Sequence, residues 1–200
     1  MKPIIGIIMR KSISEMGRKI KYIYQDIFNC IIKSGGIPIG ISNDDISLYL
    51  NICNGFILQG GDEIEEDDLE IIKTLYEKDI PLLGICLGMQ EMAYYFNGKE
   101  INIDNHLNNN LHEVVINEDS LLYKIINTSK ILVNSRHKST IYNTTLKKCA
   151  YSSDNTLEAV EDTNKLFFLG LQWHPENMYI YDLNSRKIFD YFIKVCNDMK

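Results

Sequence analysis

The stretch Pro81-Leu-Leu-Gly-Ile-Cys86-Leu-Gly-Met-Gln90 constrains the fold more than any other part of the chain. Leu82 to Ile85 is a short apolar run of the kind that forms a buried strand, and from Met89 to Phe96 the pattern is amphipathic at helical spacing. A single cysteine joins the two. Gly-x-Cys-x-Gly at such a junction has the pattern of a nucleophile elbow with Cys in place of Ser. Its glycines flank a turn too sharp for side chains, and the thiol would project from the top of a sheet. The helix N-terminus beneath it supplies partial positive charge and free N–H groups, which favours thiolate. On its own the pattern reads more readily as a small apolar residue closing a strand. Partners for a thiolate elsewhere in the chain decide between the two.

The neighbouring sequence repeats the strand-helix alternation. Ile4 to Met9 reads as a strand buried on both faces, and a stripe of Ile20, Ile23, Tyr24, Ile27 and Ile31 reads as a helix ending at Gly35-Gly36 and Pro38. Ile37 to Ile41 and Gly55 to Leu58 read as strands, Ile46 to Leu50 as a short helical turn, and Leu69, Ile72, Leu75 and Tyr76 mark another helix. Such alternation implies a mostly parallel sheet covered on both faces, with its site at the carboxyl ends of the strands. After the Asn97-Gly98 turn signal the pattern changes to short strands at Glu113 to Ile116, Ile131 to Val133, Leu157 to Val160 and Phe167 to Leu171. A last helix, about Asn184 to Asn197, closes the layer. With no repeat, low-complexity tract or linker, the 200 residues are expected to form one domain spanning 1–200.

Charge and cysteine usage narrow the class of function. A net charge of −6 gives no electrostatic footprint for nucleic acid or an anionic membrane, and no apolar run is long enough to span a bilayer. The five cysteines are odd in number and include no C-x-x-C pair, which argues against a disulfide framework or a zinc site and fits a reducing cytoplasm.

Two further segments supply chemistry. Gln59-Gly60-Gly61-Asp62 directly follows a strand, and paired glycines there let backbone N–H groups face a cavity, as an oxyanion hole beside an elbow requires. The donors would be the N–H of Leu87 and one near Gly61. In Gln172-Trp-His174-Pro-Glu176, Pro175 restricts the backbone so that His174 can face a thiol while Glu176 accepts its other ring N–H. Elbow and His-Pro-Glu need each other, so their joint presence favours chemistry over chance. Asn134-Ser135-Arg136-His137 is a polar segment after a strand, as readily a loop as a site. His106 and His112 read as surface residues, no metal spacing connects the four histidines, and the acidic run Asp62 to Asp68 reads as a solvated helix start.

With these residues in hand, the sequence resembles the class I glutamine amidotransferase superfamily, and within it the γ-glutamyl hydrolase branch that includes γ-glutamyl-γ-aminobutyrate hydrolases. Four blocks carry the resemblance: Pro3-Ile-Ile-Gly-Ile with Gly35-Gly-Ile-Pro38, Gly55 to Ile64, Pro81 to Gln90, and Asn134-Ser-Arg-His137 with Gln172 to Glu176. It implies a three-layer α/β/α flavodoxin-like fold with a mostly parallel central sheet and a β-rich C-terminal half. It also implies a Cys86–His174–Glu176 triad, Leu87 and Gly61 at the oxyanion hole, and Gln90, Asn134, Ser135 and His137 on the substrate side. The implied reaction is hydrolysis of a small γ-glutamyl amide through a thioester, with no metal or organic cofactor. A glutaminase subunit feeding ammonia to a synthase, and an idle γ-glutamyl-binding domain, are the alternatives. A homodimer or a synthase partner is left open. The chain departs from the branch in the short loop after Ile64, in Lys138-Ser139 after the Asn-Ser-x-His block, and in the segment after Gly98. All three fall where the leaving group would sit.

Overall fold

The computed structural model describes residues 1–103, 106–107 and 110–199. Its first half runs β1 (Ile4–Ile8), β2 (Arg10–Ile13), β3 (Lys19–Tyr22), α1 (Gln25–Lys33), β4 (Ile37–Ile41), a 3₁₀ turn (Ile46–Tyr49), β5 (Gly55–Leu58), α2 (Glu66–Glu77), β6 (Leu82–Ile85) and α3 (Leu87–Tyr95). The second half runs β7 (Lys99–Asn102), β8 (His112–Ile116), α4 (Leu121–Ile126), β9 (Lys130–Val133), β10 (Ser139–Tyr142), β11 (Lys147–Ser152), β12 (Leu157–Glu161), β13 (Phe168–Leu171), α5 (Pro175–Met178) and α6 (Leu183–Asp198).

Nine strands make one sheet in the order β4-β1-β5-β6-β13-β12-β11-β8-β9. The pairs from β4 to β13 are parallel, and those from β13 to β9 antiparallel. Strand alternation sorts side chains between two cores. Ile5, Ile7, Ile57, Leu83 and Ile85 meet Ile27 and Ile31 of α1 and Ile188, Phe189 and Phe192 of α6. Ile8, Phe56, Leu58 and Leu82 meet Ile71, Ile72 and Leu75 of α2 and Met89 and Met92 of α3 on the other face. This is the three-layer α/β/α arrangement implied by the resemblance. Asp182 starts α6 by accepting from the backbone N–H groups of Asn184 and Ser185, the reason the helix begins there.

Register brings both halves of the sheet to one edge. The parallel strands all end there. Gln172 donates its backbone N–H to Glu158 O, Ser152 pairs with Val114, and His112 pairs with Val133. The starts of β12 and β8 and the ends of β9 and β11 therefore lie along the same edge as the ends of β6 and β13.

The helix expected from Ile20 onward is shorter than its stripe. Lys19–Tyr22 pairs instead with Arg10–Ile13 in an antiparallel hairpin, turned at Gly17 with φ 73°, and the helix opens only at Gln25. Ile13 and Ile20 stay exposed there, so the isoleucine spacing that mimicked a helix reflects a solvent-facing ribbon. The acidic run is also corrected in part. Asp68 is fully buried and paired with Arg10, and only its neighbours are the solvated helix start that composition suggested.

Candidate active site

Cys86 sits between β6 and α3 with φ 53° and ψ −105°. Such a left-handed state costs a non-glycine residue about 1–3 kcal/mol and persists only where its surroundings impose it. Here its N–H donates to Leu171 O at 2.7 Å and its carbonyl accepts from Gln90 N at 3.1 Å. The flanking glycines permit the approach. A Cβ on Gly88 would stand 2.2 Å from Leu58 O, and one on Gly84 2.8 Å from the backbone of Gly88.

The Gln59-Gly60-Gly61 loop lies against this turn. A Cβ on Gly60 would come within 2.9 Å of the His174 ring, and one on Gly61 within 2.7 Å of Leu87. Gly61 and Leu87 are thus adjacent, and Leu87, first in its helix, has an N–H with no intrahelical acceptor. Arg10, which sequence reasoning passed over, anchors the loop from behind. Its buried guanidinium donates from Nε to the carbonyls of Gln59 and Gly60 at 3.2 Å each, from Nη1 and Nη2 to Glu91 at 2.9 Å each, and to Asp68. With both carbonyls turned back toward Arg10, the peptide planes of the loop are held in one orientation. Burial pushes the Glu91 carboxyl up to about 8 despite its pairing with Arg10. The only signal in the sequence was a cation immediately after a buried strand.

His174 follows β13, and its Nδ1–H donates to Glu176 Oε1 at 2.6 Å. Asn134 fixes the backbone of His174 on both sides, accepting from its N–H at 2.8 Å and donating to its carbonyl at 3.0 Å. Burial alone would push the imidazole down. The charge of Glu176 and hydrogen bonds to Cys86 and Glu176 outweigh it and raise the pKa from 6.5 to about 10. An imidazolium therefore faces the thiol at neutral pH. Burial pushes the thiols of Cys30 and Cys53 up to about 12 and about 11, so these two stay protonated at neutral pH.

Cys86, His174, Glu176, Gly60 and Gly61 line one cleft of about 270 Å³ with Tyr24, Asp26, Asp62, Arg136 and Asn177. Arg136 Nη1 donates to Asn177 Oδ1, and Asn177 in turn donates to Asp26. The remaining expected residues lie behind this wall. Gln90 is buried, donating to Ser139 O at 2.8 Å and Gln172 Oε1 at 3.1 Å, and Gln172 reaches Cys86 Sγ at 3.8 Å. Asn134, Ser135 and His137 are buried as well, and Arg136 from the same segment is the residue that faces the cleft. His106 and His112, read as surface residues, are turned inward. His106 is 5 % exposed and lies 3.2 Å from His137, and His112 lies 3.0 Å from the buried Glu158.

Residues 65–176, which span the elbow, the Asn-Ser-x-His segment and the His-Pro-Glu, match the family model described as Peptidase C26. The chain belongs to the Peptidase C26 family. As a member of it the protein is a hydrolase. Among curated relatives, the gamma-glutamyl-CDP-amidate hydrolase of Campylobacter jejuni is 30% identical over 165 residues, covering 75% of this chain and 76% of its own. The gamma-glutamyl-gamma-aminobutyrate hydrolase PuuD of Escherichia coli is 28% identical, covering 97% of this chain and 93% of its own. The fold matches that of a putative GMP synthase subunit from Thermoplasma acidophilum at TM-score 0.77 and 21% identity, over 98% of this chain and 95% of that one. This is the class I glutamine amidotransferase fold. Among the described residues no helix is long and apolar enough to cross a membrane.

Proposed function

We propose that the protein hydrolyses the γ-glutamyl amide of a small amine, with Cys86 as nucleophile, His174 as acid and base, and Glu176 holding the imidazole. The observation that carries this reading is the convergence of a strained Cys86, a raised His174 and its 2.6 Å bond to Glu176 in one cleft. The Cys86 thiolate attacks the amide carbonyl, and the N–H groups of Leu87 and Gly61 receive the developing oxyanion. The imidazolium then protonates the departing amine, leaving a γ-glutamyl thioester and a neutral ring. That ring takes a proton from water, which attacks the thioester, releases glutamate and restores the thiolate–imidazolium pair.

The cleft also accounts for the γ-glutamyl group. That group ends in an ammonium and a carboxylate on one carbon. Arg136 suits the carboxylate by a forked hydrogen-bonded contact, and Asp26 or Asp62 suits the ammonium. The names of the two relatives, both γ-glutamyl hydrolases, support the same class of substrate.

A second reading, a glutaminase subunit that passes ammonia to a synthase, is favoured by the likeness to a synthase subunit over nearly the whole chain. Partner dependence separates the two. Purified alone and supplied with glutamine and a panel of γ-glutamyl amines, the protein is expected to release glutamate from at least one amide. Silence toward all of them, with Cys86 still alkylated by a glutamine-like electrophile, would favour the subunit.

A further inference from the structure

Three of the four histidines in the chain meet at the antiparallel end of the site edge, around a carboxylate with no solvent exposure. His112 opens β8, Glu158 lies in β12, His137 precedes β10, and His106 comes from the segment between β7 and β8. His112 Nε2 is 3.0 Å from Glu158 Oε1, and His106 Nδ1 is 3.2 Å from His137 Nε2. Both of the latter nitrogens are 3.8 Å from the same Glu158 oxygen. Four ligand atoms on bonds of about 2.0–2.1 Å at the corners of a tetrahedron stand about 3.3 Å apart. The four spacings above bracket that value, and one ligand atom each of His106, His112 and Glu158 all lie within 4.8 Å of one another.

The outward-facing ring atoms fix the tautomers. His137 Nδ1 is 3.1 Å from the carbonyl of Ser139, which can only accept, so that nitrogen carries the proton. His106 Nε2 is 3.0 Å from Asp154 Oδ2, a carboxylate already accepting from Ser152 and from the backbone N–H of Thr156, so the proton is again on the outer nitrogen. His106 Nδ1 and His137 Nε2 then present lone pairs to one another and to an oxygen of the buried Glu158. The Ser135 hydroxyl has one proton and lies nearer the His106 carbonyl, at 2.7 Å, than the ring, at 3.1 Å. A cation held between these atoms satisfies the arrangement. His112 Nδ1 and Glu158 Oε2 are buried and without a hydrogen-bond partner among the described residues, so the cluster is not complete in itself.

We infer that His106, His112 and Glu158, with His137 packed beside them, form a binding site for one divalent transition-metal ion of the zinc class, held apart from the Cys86 cleft. A neutral imidazole whose other N–H is bound to a carboxylate or a carbonyl is the usual form of a histidine ligand, and His106 and His137 both have it. The ion ties the His106 segment and the Asn134–His137 strip to the sheet. It also stands one relay from the thiol, since the Ser139 carbonyl accepts from both His137 and Gln90, and Gln90 and Gln172 lead to Cys86.

The test is zinc titration of the chelator-stripped full chain carrying Cys86→Ala, which removes the cleft cysteine as a competing ligand, followed by calorimetry. The same protein loaded with cobalt(II) is examined in the visible region. One equivalent of zinc is expected, with the strong ligand-field bands of tetrahedral cobalt and no thiolate charge-transfer band. His112→Ala and Glu158→Gln should each weaken zinc binding at least tenfold. Asp154→Asn, on an exposed turn and not a ligand, should weaken it several-fold, which covers the case in which a ligand variant fails to fold. No uptake by the parent, or uptake unchanged in variants that keep its circular dichroism, overturns the proposal.

Discussion

The parallel strands β4, β1, β5, β6 and β13 and the antiparallel strands β12, β11, β8 and β9 reach one edge but deliver different chemistry to it. Parallel strands all leave the sheet there, so each apolar run hands over to a polar segment free to build a site: Arg10 after β1, Gln59 to Gly61 after β5, Cys86 after β6, His174 after β13. Antiparallel strands alternate direction, and their polar residues arrive from inside the ladder, as His112 and Glu158 do. The groups proposed to react come from the first set. The second set holds one of them, through Asn134, which follows β9 and fixes the backbone of His174.

That division can be broken most severely at Glu176. Glu176→Gln should lower kcat/KM by about 10³–10⁴-fold, as loss of the orienting carboxylate does in other triads. It also removes the charge that raises His174, so the alkaline limb of the pH–rate profile should fall from near 10 toward 6.5. A limb that stays put would separate Glu176 from the imidazole.

Arg10→Met tests whether the parallel side depends on a buried cation. Stranding Glu91 and Asp68 should cost about 3–5 kcal/mol in urea unfolding. The sign with pH is set by Glu91, whose folded pKa of about 8 lies above its ordinary 4.5. Without Arg10 that pKa rises further; both proteins keep Glu91 protonated in the folded state below about 8, so the deficit should grow as pH increases above about 8. A pH-independent deficit would mean that packing, not charge, is what Arg10 provides.

The antiparallel contribution should be smaller and visible in kcat. Asn134→Ala removes two hydrogen bonds at about 1 kcal/mol each, an expected loss of about tenfold to thirtyfold with KM little changed. Arg136→Gln should do the reverse, raising KM about tenfold while kcat holds. An equal loss in both parameters for either variant would erase the contrast between holding the catalyst and holding the substrate.

Legibility in the sequence divides along the same line. Cys86, His174 and Glu176 were legible because each stands directly after an apolar run or within a fixed short spacing. The β-rich second half was legible only as a class, since β7, β10 and β11 and the helix α4 have too weak a period to announce themselves. Arg10 looked like an ordinary charge after a strand, and nothing local says that Asp68 and Glu91, 58 and 81 residues away, will close around it. The histidine cluster was least legible of all. Its members lie on four separate segments, with no spacing that a known metal motif would share, and only strand register brings them together. The Ile20 and Ile23 spacing misled for the opposite reason, since a period of about 3.6 over so few residues also fits a twisted hairpin facing solvent.

The central claim is that Cys86 carries the γ-glutamyl group during turnover. The measurement that tests it most directly is acid quenching during turnover of a γ-glutamyl amide the enzyme accepts, followed by peptide mass analysis. A γ-glutamyl adduct on the peptide containing Cys86, lost on brief exposure to hydroxylamine and absent from Cys86→Ala together with glutamate release, is the predicted result. Glutamate release that persists in Cys86→Ala, with no adduct in the parent protein, would contradict it.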